Sequence, residues 1–182
     1  MISKLAKSIA HFFVVQNITE ESKEVIYAYG MELLISDVLN TIIVLLIALF
    51  SHTLPAVVVF IAVFMGLRQF VGGFHANSHL SCMFTLVMVM MVFSYGICNV
   101  SGHITPIFSI SFIMIALPII LCIAPVPHPN KPMSEEKSVK LRKRSCILAV
   151  TLSVVTIALL VFQYQKLSLY VSSGMLLSAI MA

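Results

Sequence analysis

Residues 68–82 read RQFVGGFHANSHLSC, from Arg68 to Cys82, and how this stretch interrupts the chain decides the fold. The segments on either side are almost wholly apolar. This one gathers an arginine, a Gly-Gly pair, two histidines and a cysteine. Glycine leaves the backbone a freedom that a helix must remove, so Gly72-Gly73 predicts a helix end. Asn77-Ser78 then predicts an N-cap, which puts Cys82 in the first turn or so of the next apolar helix. On one straight helix His75 and Cys82 would share a face but stand about 10 Å apart along the axis. A break around Asn77 instead lets the imidazole fold back to within hydrogen-bond reach of the sulfur.

Composition sets the class. Of 182 residues, 60% are hydrophobic and only 10% charged, where a soluble domain carries about 25% charge. With a mean hydropathy of +1.06, the expected fold is all-α: a polytopic integral membrane protein forming a single domain over residues 1–182. The four cysteines (Cys82, Cys98, Cys122, Cys146) fall one per apolar segment, without CxxC pairing, and predict free thiols rather than a disulfide framework. A formal charge of +4 does not call for nucleic acid here, because basic loops on the inner side of a membrane account for it.

Working outward, residues 1–16 place Ile2, Leu5, Ala6, Ile9 and Phe12-Phe13 at helical spacing around Lys4, Lys7 and His11. That pattern predicts an N-terminal amphipathic helix at the lipid interface. Asn17 or Thr19 is the expected cap of a second helix, which carries glutamates in its first turn and feeds the first span at about 33–50. Residues 1–30 are thus read as interfacial helices. Pro55 suits a helix start, and 54–67 needs 68–71 to complete a crossing of roughly 20 residues. The third and fourth spans are expected at about 79–100 and 104–124, with a kink at Pro118. Residues 125–144 form the one long polar segment: a proline-rich half, then a short basic helix ending at Arg142-Lys143-Arg144. A fifth span at 145–162, a turn at 163–168 and a sixth span complete about six transmembrane helices.

Charge orients them. With six crossings and the N-terminus inside, Lys4, Lys7, Lys23, Arg68, Lys131, Lys137, Lys140, Arg142, Lys143 and Arg144 are cytoplasmic, and Lys166 alone is outside. This bias obeys the positive-inside rule and collapses if 54–67 fails to cross. The expected location is therefore the cell membrane, multi-pass, with both termini and the 68–82 stretch cytoplasmic.

A cysteine in an apolar segment is ordinarily core or lipid-facing filler, and a histidine at a membrane boundary is ordinarily structural. Cys82 and His75 stand out as a combination, since a neighbouring imidazole and a helix N-terminus both favour the nucleophilic thiolate. Cys98 and Cys122, read as mid-span, lack such neighbours. Arg68 is either a snorkelling charge or the group that holds a substrate carboxylate or an oxyanion. Gly72 and Gly73 either break a helix or admit a peptide backbone. His75, His79 and Cys82 follow a spacing that zinc could use, but Ala76 stands where a zinc protease needs its glutamate, so no metal or other cofactor is expected. Asp37, with Glu32 and Asn40 near it, is a carboxylate within an apolar span. Such groups usually face a partner or a polar cavity, which makes Asp37 a candidate third member behind His75.

Arg68, Gly72-Gly73, Phe74, His75-Ala76 and a cysteine seven residues after the histidine form one motif. Ala124-Pro125, Pro129-Asn130-Lys131-Pro132 and Glu135-Glu136-Lys137, running into basic residues, form a second. In both motifs, and in length and hydrophobic layout, the chain resembles the AgrB family, membrane endopeptidases of Gram-positive quorum sensing; Val71 stands where that family often has a small residue. The resemblance implies a cysteine endopeptidase that cleaves an AgrD-like propeptide at its C-terminal side and closes a thiolactone or lactone through an acyl-enzyme on Cys82. It implies His75 as the base and the propeptide as substrate, while Arg68, Gly72, Gly73 and Asp37 are read as supporting residues and membrane lipids and a second copy as further partners. The alternatives from other classes are a non-catalytic peptide carrier or export module and a purely structural membrane partner.

Overall fold

The computed structural model describes residues 2–72, 79–126 and 135–182, with the side chains of all of these except 79–83, 135 and 137. The described residues are helical, and the only strand-like feature among them is a single β-bridge. Four helical segments are long and apolar enough to cross a membrane: Glu21–Phe50, Leu54–Val71, Thr105–Ile123 and Ser138–Val161.

Helix α1 (Ile2–Val15) lies along α2 (Glu24–Phe50), burying Ala6 and Ala10 completely while Leu5, Phe12 and Val15 stay exposed. The chain reverses at Asn17, whose φ of 55° lets Ile18 N–H reach the Phe13 carbonyl at 2.9 Å. Asn17 therefore closes α1 rather than capping α2. A 3-10 turn at Glu21–Lys23 leads into α2, and the expected side-chain caps at Asn17 or Thr19 are not used. His11 Nδ1 and Glu24 Oε1, 3.3 Å apart, tie the two helices together.

The turn after α2 is held by hydroxyls. Ser51 donates to the Ile47 carbonyl at 2.8 Å, and Thr53 donates to Ser94 Oγ at 3.2 Å. Helix α3 (Leu54–Val71) starts with Pro55 in its first turn and ends at Gly72. Helix α4 (His79–Met91) does not run as one regular span. It widens into a π turn at Val92–Gly96 and tightens into a 3-10 turn at Ile97–Asn99. The contact from Thr53 to Ser94 therefore fixes the far end of α4 at the α2–α3 turn.

Helix α5 (Thr105–Ile123) carries Pro118 inside it. Helix α6 (Glu135–Val161) corrects one expectation: the basic helix and the fifth span are continuous. No glycine or proline stands between Glu135 and Val161, and leucine, lysine and arginine are good helix formers, so nothing breaks the helix at Arg144. The expected turn at 163–168 is likewise shorter. Gln163 reverses the chain at φ 67°, and α7 (Gln165–Ile180) begins two residues later.

Helix α7 packs against α3, α5 and α6 through small residues. Ser168 shares a hydrogen bond with Ser109 at 3.0 Å, and Ser178 donates to the Phe64 carbonyl at 3.4 Å. A Cβ on Gly174 would sit 2.9 Å from the Phe60 carbonyl, so the two backbones meet where only glycine fits. Apolar helices in lipid associate through such close packing rather than through burial from water. Two cores result. One joins Leu67, Val71, Ile120 and Met175; the other joins Val44, Val57, Phe60, Met90 and Phe93, with the Phe60 and Phe93 rings 4.3 Å apart.

Candidate functional site

Gly72 is where the two sequence motifs meet. It ends α3 with φ 77° and ψ −151°, a backbone region open essentially to glycine alone. Its N–H donates to the Arg68 carbonyl at 3.1 Å, while Val126 N–H donates to the Val71 carbonyl at 2.9 Å. Gly72 and Val126 pair as a parallel bridge, and a Cβ at Gly72 would lie 2.7 Å from the Val126 carbonyl oxygen. The start of the proline-rich segment is thereby fastened to the exit of α3.

Arg68, in the last turn of α3, is half-buried and turned inward. Its guanidinium lies 5.5 Å over the Phe64 ring and its Nη1 is 3.5 Å from Met181 Sδ on the segment after α7. Both contacts suit a weakly hydrated, planar cation. Arg68 borders a cavity of about 290 Å³ between α2, α3, α4 and α7. Asp37, Asn40, Thr41, Gln69 and Thr85 supply the rest of its polar lining, and Val44, Ile61, Val89 and Met90 much of its apolar wall. A shallower, more open groove on the α2 side shares Asp37 and Thr41.

Helix register sorts this lining by depth. Asp37 lies thirteen residues before the end of α2 at Phe50, and Arg68 fourteen after the start of α3 at Leu54. At a rise of about 1.5 Å per residue, both stand roughly 20 Å from the connecting turn. Val44, Ile61 and Val89 lie within about 10 Å of that turn level by the same count. The polar residues thus stand toward the Gly72 end, together with Phe64, Met65 and Met181, and the floor is apolar.

Of the sequence-predicted residues, the structure brings Arg68 and Asp37 to one cavity and pairs Gly72 with Val126. Cys82 belongs to the first turn of α4, one turn before Thr85. Its side chain lies outside the described residues, as do Gly73, His75, the Asn77-Ser78 cap and the side chain of His79. Among the described residues no three His, Cys, Asp or Glu side chains gather as metal ligands. Cys98 and Cys122 are not mid-span as expected. Cys98 sits in the 3-10 turn beyond α4, and Cys122 one residue from the end of α5. Gln69, Thr85 and Met181 went unremarked in the sequence, although the equal distances of Asp37 and Arg68 from the 51–53 turn were a signal that polar groups on two helices share a level.

A family model described as AgrB: Accessory gene regulator B matches residues 3–182. Among known proteins, an AgrB-like protein of Clostridium beijerinckii is 25% identical over 145 residues, covering 78% of this chain and 71% of that one. No solved structure matches the chain.

Proposed function

The chain belongs to the AgrB family, and on that premise we propose that it is a membrane-embedded cysteine endopeptidase that processes an AgrD-like propeptide for quorum sensing. Cys82 is the nucleophile. Its thiolate attacks the backbone carbonyl at the C-terminal boundary of the signal sequence, and His75 takes the thiol proton and returns it to the departing amine. The peptide C–N bond breaks, the C-terminal tail leaves with its new amine, and the signal portion stays on Cys82 as a thioester. A thiol or hydroxyl within the bound peptide then displaces Cys82, closing a thiolactone or lactone and restoring the thiol. A thioester exchanged for a thiolactone is nearly isoenergetic, so no ATP is needed provided water is kept from the acyl-enzyme.

The observation that carries this reading is the bridge at Gly72. The family match spans both motifs, and the Gly72–Val126 pairing puts the Gly-Gly part of the first against the start of the second. Gly72 and Gly73 act in support of the catalytic pair. Arg68, held against Phe64 and Met181, is a donor for an oxyanion or a peptide carboxylate, and Asp37 orients the imidazole. In this reading six helices cross the membrane, α4 and α7 among them, α1 lies at the lipid interface, and both termini are cytoplasmic. The positive-inside bias supports that arrangement.

The test uses the full chain in proteoliposomes with the propeptide encoded beside it. His75→Ala is expected to slow cleavage by about 10²–10⁴-fold, the usual contribution of a general base, and Cys82→Ala to abolish it. Cys122→Ala and Cys146→Ala should process normally. Cleavage by Cys82→Ala would remove the endopeptidase reading.

A further inference from the structure

We propose that Lys143 and Arg144, where α6 enters the membrane, hold the phosphate headgroup of an anionic phospholipid whose acyl chains lie along the outward face of that helix. This goes beyond the endopeptidase reading and does not depend on it. Only the choice of the inner leaflet follows from the proposed topology.

Three observations carry it. The first is register. Lys143, Ile147, Val150, Val154, Ile157 and Val161 follow one another at steps of four and three, the spacing of a single helix face, and all of them are exposed. The packed face of α6 lies elsewhere: Ser145, Ala149, Ser153 and Thr156 are buried, and Ser145 stands roughly 160° around the helix from Lys143. Arg144 continues the outward side, above the exposed Thr151 and Val155. Arg142 does not, because it stands three and seven residues before Ser145 and Ala149, over the packed face. One side of α6 therefore runs from cationic to apolar without turning, which matches a molecule with an anionic head and an apolar tail. The second observation is depth. Val161 lies seventeen residues after Arg144, about 25 Å of helix against a hydrocarbon core of about 30 Å, so the two cations reach the phosphate layer when Val161 stands at the opposite boundary. The third is that these charges are available. Among the described residues Lys143 and Arg144 meet no carboxylate, whereas Lys140, one turn further out, is held by Glu136. A guanidinium fork beside an ammonium suits one phosphodiester. An acidic peptide would find the same charges, but it would gain nothing from the apolar face that continues below them.

The test is native mass spectrometry of the full chain in detergent, titrated with palmitoyl-oleoyl phosphatidylglycerol or with the zwitterionic phosphatidylcholine of the same chains. The first phosphatidylglycerol is expected to bind at least about tenfold more tightly than the first phosphatidylcholine. Lys143→Gln with Arg144→Gln should erase that preference. Each single change should cut it by about fivefold, a readout that stands even if the pair fails to fold. Arg142→Gln should keep the preference. Glycerol 1-phosphate, a headgroup without tails, should not displace the lipid, and neither should a glutamate-rich peptide. Equal binding of the two lipids, a preference that survives every change at 143 and 144, or its loss in Arg142→Gln alone would overturn the proposal. Displacement by glycerol phosphate would make this a site for soluble anions, and displacement by the peptide a site for an acidic protein segment; either result removes the lipid as the occupant. None of these results touches the role of Cys82, which cleavage tests separately.

Discussion

Gly72 holds φ 77° and ψ −151° with Val126 pressed against it, so a side chain there meets both backbone strain and a clash. Gly72→Ala is expected to cost about 1–3 kcal/mol locally and to lower processing at least tenfold, read by thermal unfolding alongside cleavage. An unaltered rate would mean the bridge does not position the catalytic stretch. The helix end at Gly72 was legible in the sequence because glycine is a poor helix former. Its partner was not, since nothing local to Val126 announces a contact with a segment so distant in sequence. Thiol chemistry belongs to this scale as well. Limited iodoacetamide at near-neutral pH should modify Cys82 before the other three cysteines, with activity lost in step, and His75→Ala should slow that labelling. Cys146, half-buried on α6 just past Arg144, is the nearest competitor. Its reacting first would move the nucleophile elsewhere.

At the scale of elements, apolar run lengths located the helices well, and Pro55 sits in the first turn of α3 as expected. The π turn at Val92–Gly96 could not be read, because it answers to a tertiary contact: Ser94 meets Thr53 while Phe93 packs on Phe60. The α3–α7 crossing was equally hidden. It depends on Gly174 letting two backbones approach, and Gly174→Leu is expected to destabilise the bundle by about 1–3 kcal/mol through overpacking, visible as a lower Tm in detergent. The continuous α6 carries Lys140, Arg142, Lys143 and Arg144 into the start of a membrane-length helix, with Lys140 paired to Glu136. If these charges attract an acidic propeptide tail, neutralising Arg142 and Lys143 together raises KM with little change in kcat, and added salt mimics the effect. Unchanged kinetics in correctly inserted protein would leave them a topological role alone.

For the whole molecule, the proposed six crossings would put ten cations inside and Lys166 alone outside, whereas length and composition alone mark four of the helices. The other two are α7, with 16 residues, and α4, whose regular part gives way at Val92. A probe cysteine at Lys166 should be labelled from outside intact cells and one at Lys140 protected. Labelling at residue 140 from outside would move the 68–82 stretch to the wrong side of the membrane for a cytoplasmic propeptide. The bundle was readable as a membrane protein from composition. The convergence of Asp37 and Arg68 on one cavity was latent in their equal distances from the 51–53 turn, and needed the packing of α2 on α3 to become a site.

The most direct test of the central claim is the intact mass of the protein mixed with its propeptide and quenched in acid during turnover. Cys82 should carry an adduct equal to the propeptide's N-terminal portion. Neutral hydroxylamine should release it, as it does a thioester, and Cys82→Ala should show none. Propeptide cleaved at a normal rate with no hydroxylamine-labile adduct on Cys82 would contradict the account.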